Sequence, residues 1–85
     1  MNKERRKYLE KCKRDFETIL SLKDELVYDL ETIRDEEQEA YDNMPEQFQE
    51  TDRGYNMQSN IDLLDAIIDK LGEWEDLTWD LEEIV

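Results

Sequence analysis

The chain contains no histidine, one cysteine, one proline and two glycines among its 85 residues. Without histidine the commonest general base is missing. So are Ser-His and Cys-His nucleophile pairs and the His-containing di-iron sites of helical bundles. The single cysteine, Cys12, excludes an intramolecular disulfide, and its place in the apolar pattern described below reads as a small hydrophobe packed in a core. No glycine-rich phosphate loop is present, and Asp35-Glu36-Glu37-Gln38-Glu39 lacks the glycine and alternating oxygen ligands of a calcium loop. No run of about 18 apolar residues could span a membrane, and the basic N-terminus is not followed by the apolar stretch of a signal peptide. The expectation is a cytoplasmic protein with no catalytic residues, no metal and no cofactor.

Positive charge is scarce as well. Eleven Lys and Arg stand against 25 Asp and Glu, a net of -14. Residues 1–14 hold seven of the basic residues against two acids, whereas residues 15–85 hold four against 23, a net of -19. Such acidity favours basic partners and repels nucleic acid and anionic membranes. With 38% apolar and 42% charged residues, the composition borders on that of disordered chains. The regular spacing of the apolar residues argues for folded helices instead.

Leu9, Cys12, Phe16, Ile19, Leu26, Leu30, Ile33, Ala40 and Met44 follow alternating steps of three and four. These are the a and d positions of a heptad, interrupted by Lys23 and Glu37, and Leu20, Val27 and Tyr41 at e widen the stripe. A second stretch repeats the pattern: Met57, Asn60, Leu64, Ile67, Leu71, Trp74, Thr78, Leu81 and Val85 are in register. Ile61 and Ile68 at e, with Leu63, Leu77 and Ile84 at g, broaden its face on both sides. Gly72 lies inside this register, at a cost of roughly 1 kcal/mol relative to Ala, and the pattern passes through it as one helix.

Pro45 separates the two stretches. It forces the preceding residue out of the helical region and suits the first position of a short helical turn. Thr51 is placed to cap the second helix. The fold expected is all-α: an antiparallel hairpin in one domain, 1–85, with helix 1 over about 3–43, a corner at 44–54 and helix 2 over about 52–85. Two helices alone cannot cover stripes this wide, so a homodimer closing a four-helix bundle is the natural completion.

The corner carries a resemblance. Asp35-Glu36-Glu37-Gln38-Glu39-Ala40-Tyr41-Asp42-Asn43-Met44-Pro45-Glu46, then Gln49, Asp52-Arg53-Gly54 and the stretch Ile61 to Leu71, resembles small acidic helical proteins of bacteriophages, prophages and mobile elements. The resemblance covers under half of the chain. It implies a phage or mobile-element setting inside a bacterial host, and no catalytic residues. A separate spacing, Glu36-x-x-Glu39 with Asp62-x-x-Asp65, matches the acidic quartet with which all-α nucleotide pyrophosphatases hold magnesium. In the heptad register Glu36 falls at g, Glu39 at c, Asp62 at f and Asp65 at b, so most of the four point outward.

Three features could carry binding. Asp24, Glu25, Asp29, Asp35, Glu36, Glu39 and Asp42 on helix 1, with Asp62, Asp65, Asp69, Asp76 and Asp80 on helix 2, line the outside of the hairpin. Tyr28 at f and Trp79 at b fall off the core stripe and would stand exposed among these carboxylates, as apolar anchors for a partner. The basic residues 3–14 lie beside residues 73–83 in a hairpin, which suggests that the two ends pair with each other. The functional expectation is a non-enzymatic module that binds a host protein with a basic, nucleic-acid-binding surface, with no nucleic acid or membrane bound directly. The alternative is a coiled-coil scaffolding protein whose charge serves solubility.

Overall fold

In the computed structural model, which describes residues 1–84, the chain is an all-α helical hairpin. Val85, the last position of the second heptad register, lies outside the described residues. Helix α1 runs Lys3–Asp42, the short α2 Glu46–Gln49 and α3 Asp52–Gly72; a 3-10 turn, Glu73–Glu75, then leads into α4, Asp76–Glu83. The assembly is a rod of 66 × 16 × 15 Å. Its radius of gyration is 19.6 Å, against about 12 Å for a compact domain of this length. Most of each helix therefore borders solvent.

The ends of the helices follow from local chemistry. Asn2 caps α1, its Oδ1 accepting from the Arg5 backbone N–H at 2.9 Å. Pro45 lacks an amide hydrogen and sits in an extended conformation (φ -56°, ψ 142°) just ahead of α2. The Gln49 amide then ties the corner together, donating to the carbonyls of Tyr41 (3.0 Å) and Met44 (3.1 Å). The Tyr41 carbonyl belongs to the last turn of α1, where it also accepts from the Met44 backbone N–H at 3.1 Å, and Met44 lies just past the helix end. Thr51 caps α3 through the Gly54 N–H. Near the other end the helical path tightens to a 3-10 turn directly after Gly72, so the stretch expected as one helix is two helices joined by a single tighter turn.

The core is thin. Met57, Ile61 and Leu71 are the buried apolar side chains, with Phe16, Leu20, Val27, Leu30, Tyr41 and Leu64 half-buried around them. These residues occupy heptad positions a and e on both helices. Most d positions, which also belong to the expected core stripe, are open: Ile19, Leu26, Ile33, Ile67 and Trp74 are all exposed, and Leu81 is half-buried. Cys12, also at d, is exposed rather than packed. The apolar stripe spans a wide arc, and a single neighbouring helix covers only the part of it centred between a and e. The rest of the arc has nothing beside it in one chain.

Candidate interaction surfaces

Two cross-helix ion pairs set the level of one helix against the other. Lys23 Nζ donates to Glu75 Oε1 at 3.0 Å, and Arg34 donates through Nη1 to Asp65 Oδ1 at 3.1 Å. Lys23, an interruption of the stripe in sequence, is the one buried charged residue of the described chain, 5% exposed. Its stem lies between the helices while its ammonium reaches out to Asp24 (2.7 Å) and Glu75, both largely in water. The hydrogen bond that the ammonium donates to Asp24, assisted by that to Glu75, raises the Lys23 pKa above its ordinary value against the opposing effect of burial. A raised lysine pKa contributes stability that is fully present below the ordinary value near 10.5 and is lost as pH rises through the folded value.

Replacing Lys23 tests how much of this matters. Both acidic partners stay solvated without it, so no charge is stranded. A methionine keeps the stem and removes the desolvated ammonium, and such exchanges are commonly neutral or stabilising. Lys23→Met is expected to unfold within about 1 kcal/mol of the parent at pH 7, or to be more stable. Above pH 10.5 it should lack the loss of stability that the parent shows. Urea titrations at pH 7 and pH 11 check both.

Splitting the rod at the Lys23–Glu75 level exposes how its charge is arranged. The half carrying the termini, residues 1–23 and 75–85, holds eight basic and nine acidic residues, a net of -1. The half carrying the corner, residues 24–74, holds three basic and sixteen acidic residues, a net of -13. Nearly all of the net charge belongs to one half of the rod. The basic residues near the N-terminus do not pair with the C-terminal acids. Among the described residues their ion pairs are local, Lys11–Asp15 at 2.9 Å and Lys13–Glu10 at 3.9 Å. The Lys23–Glu75 contact sets residues 73–83 level with about 15–25 of α1, so most of the basic segment 3–14 lies beyond those acids and the expected pairing of the two ends does not form.

The residues singled out as a partner surface fall into three groups. Glu25, Tyr28, Asp29, Glu36, Glu39, Asp42, Asp62 and Asp69 lie in the corner half and form no ion pair; Asp42 and Asp62 accept from neighbouring glutamines. Asp24, Asp35 and Asp65 are neutralised by Lys23 or Arg34. Asp76, Trp79 and Asp80 belong to the terminal half. Tyr28 and Trp79 are 71% and 70% exposed. In register both lie on the b and f side of the hairpin, roughly 13 Å apart along the rod at 1.5 Å per residue.

The magnesium quartet does not assemble. Asp65 is held by Arg34, Asp62 accepts from the Gln58 amide at 3.1 Å, and Glu36 and Glu39 are exposed. Among the described residues no three His, Cys, Asp or Glu converge as metal ligands. No helix of the described residues is long and apolar enough to cross a membrane.

The opposite broad side of the hairpin is mostly apolar, and apart from Leu22 its apolar residues belong to the stripes expected as core. Ile33, Leu63 and Ile67 line one shallow groove between the helices, and Ile19, Leu22, Leu26 and Trp74 line a second further along. All seven are exposed, Leu22 and Leu63 to about three-fifths. The signal was present in the excess width of the stripes at g. The side of the hairpin to which it belonged depended on the rotation of the helices about their own axes. Comparison with family models, curated proteins and solved structures gives no match.

Proposed function

We propose that this chain is a non-enzymatic acidic binding module that occupies a basic, nucleic-acid-binding surface of another protein. The observation that supports it is the segregation of charge. The corner half carries a net of -13 along about half of the 66 Å rod. That is one net charge per about 2.5 Å, against one per about 1.7 Å for duplex DNA. A groove built to bind phosphates meets a comparable field on this rod, and exposed Tyr28 offers an aromatic anchor within it. The resemblance of the corner to phage and mobile-element proteins makes the partner a bacterial host protein, with inhibition of a defence nuclease as the concrete form.

Affinity capture tests this reading. The full chain, immobilised and exposed to bacterial lysate, should retain a basic nucleic-acid-binding protein at 50 mM salt and release it by about 500 mM, because exposed charges are screened over that range. Tyr28→Ala should weaken retention at low salt. A partner held equally at both concentrations would count against the proposal. A scaffolding role is the second reading, favoured by the open apolar side.

A further inference from the structure

The apolar side of the hairpin is large enough to need a covering. The chain exposes 6909 Å², whereas a compact monomer of 10.4 kDa exposes about 5,400 Å². The excess, about 1,500 Å² per chain, belongs to the polar and apolar surface of an elongated rod together. Two copies that each covered this excess would bury about 3,000 Å² together, within the range of obligate homodimers. Contiguous exposed apolar surface of this kind marks an interaction site, and Ile33, Leu63 and Ile67 continue directly into Leu22, Leu26 and Trp74 along one side of the rod.

We infer that the occupant is a second copy of this chain, packed antiparallel through the d and g positions of both helices to close a four-helix bundle. The charge arrangement selects the orientation. In a parallel pair the two halves of net -13 lie side by side, whereas in an antiparallel pair each lies against a half of net -1. Summed over the two contacts, the product of adjoining charges falls from about 170 to about 26, and the repulsion falls in proportion at equal spacing. The arrangement leaves the b and f sides, with Tyr28 and Trp79, facing outward on both copies. Asp29 and Glu36, at g, border this interface, the rest of the acidic surface lies outside it, and the inference stands without the proposed function.

Sedimentation equilibrium on the full chain gives the first reading. A mass of about 21 kDa is expected, twice the 10.4 kDa of one chain. Salt should leave the pair intact or tighten it by screening the remaining repulsion, the opposite of its expected effect on a basic partner. Leu26→Glu with Ile67→Glu should give a monomer that keeps its helical circular dichroism, since both side chains are exposed in the single hairpin. A parent chain that stays at 10.4 kDa to about 100 μM, or that forms a larger assembly, overturns the inference, as does a doubly substituted chain that remains dimeric.

Spin labels on exposed Cys12 read the orientation. Antiparallel pairing centred between residues 24 and 29 separates the two labels by about 35–50 Å at 1.5 Å per residue. A separation under about 20 Å would mean parallel packing and overturn the proposed orientation. Outward substitutions such as Tyr28→Ala should leave the mass unchanged.

Discussion

Gly54→Ala is expected to lower the thermal midpoint by roughly 10–20 °C. Gly54 lies in the first turn of α3, is buried, and has an ordinary helical backbone, so no unusual torsion explains it. The reason is contact. A Cβ built there would fall well inside the van der Waals radius of the Gln49 carbonyl oxygen, 2.5 Å from its carbonyl carbon and 2.7 Å from its Cα. These are backbone atoms and cannot swing aside. Moving them displaces Gln49, whose amide holds the Tyr41 and Met44 carbonyls, and strains the Thr51 cap. Overpacking of this kind costs about 1–3 kcal/mol or more, offset by up to about 1 kcal/mol of helix propensity. Each net kcal/mol moves the midpoint of a chain this short by about 4–8 °C. Gly72→Ala provides the internal control. Nothing lies within 4 Å of its Cβ position, so only the propensity gain remains, about 0.4–1 kcal/mol in favour of the variant. Calorimetric scans of both chains check the pair, and equal behaviour of the two variants would refute the contact argument.

The second large effect is expected at Ile61. At 3% exposure it is the most covered apolar side chain of the rod. Its truncation to alanine removes about three methylene equivalents from a core of three buried apolar residues. Ile→Ala in cores costs about 2–5 kcal/mol, with the low end where the surroundings can collapse or admit water. Half-buried neighbours permit some collapse here, so about 2–3 kcal/mol is expected. For a domain whose whole stability is about 5 kcal/mol or less, that is half of it. Urea unfolding should show the midpoint fall with little change in slope. Ile67→Ala, by contrast, should cost the isolated hairpin under about 1 kcal/mol, because the side chain is 45% exposed. A larger loss at Ile67, growing with protein concentration, would place that residue in an interface rather than a free surface.

The hairpin was legible in the sequence because its punctuation is sparse. One proline, at a position no helix interior tolerates, separates two periodic stretches, and Thr51 supplies the cap on the far side. The rotation of each helix was not legible. Stripes spanning d, a and e with additions at g can face a neighbour through a and d or through a and e, and periodicity weights the two alike. Lys23 and Arg34 decide it in the structure. Lys23 at a and Arg34 at e reach across to Glu75 at e and to Asp65 at b, on the flank beside e. This turns the a and e side of both helices inward and d towards solvent. Residue numbers that sum to about 98 across the hairpin were available once a corner near residue 49 was placed, so the pairs could have been sought by level. The 3-10 turn at Glu73–Glu75 had only Gly72 as its signal, and a glycine whose register continues on both sides does not announce tighter winding. The outward placement of Tyr28 and Trp79 was simpler to read, since both sit off every apolar position of the heptad.

A rod charged on one half behaves like a compass needle. Near a basic surface the force acts on the corner half, while the terminal half, at a net of -1, feels almost nothing. The couple turns the molecule before contact, so it arrives corner first over a lever arm of about 30 Å, half of its 66 Å length. Moving six carboxylates from the corner half to the terminal half would keep composition and net charge unchanged, leave the two halves equal at -7, and abolish the torque.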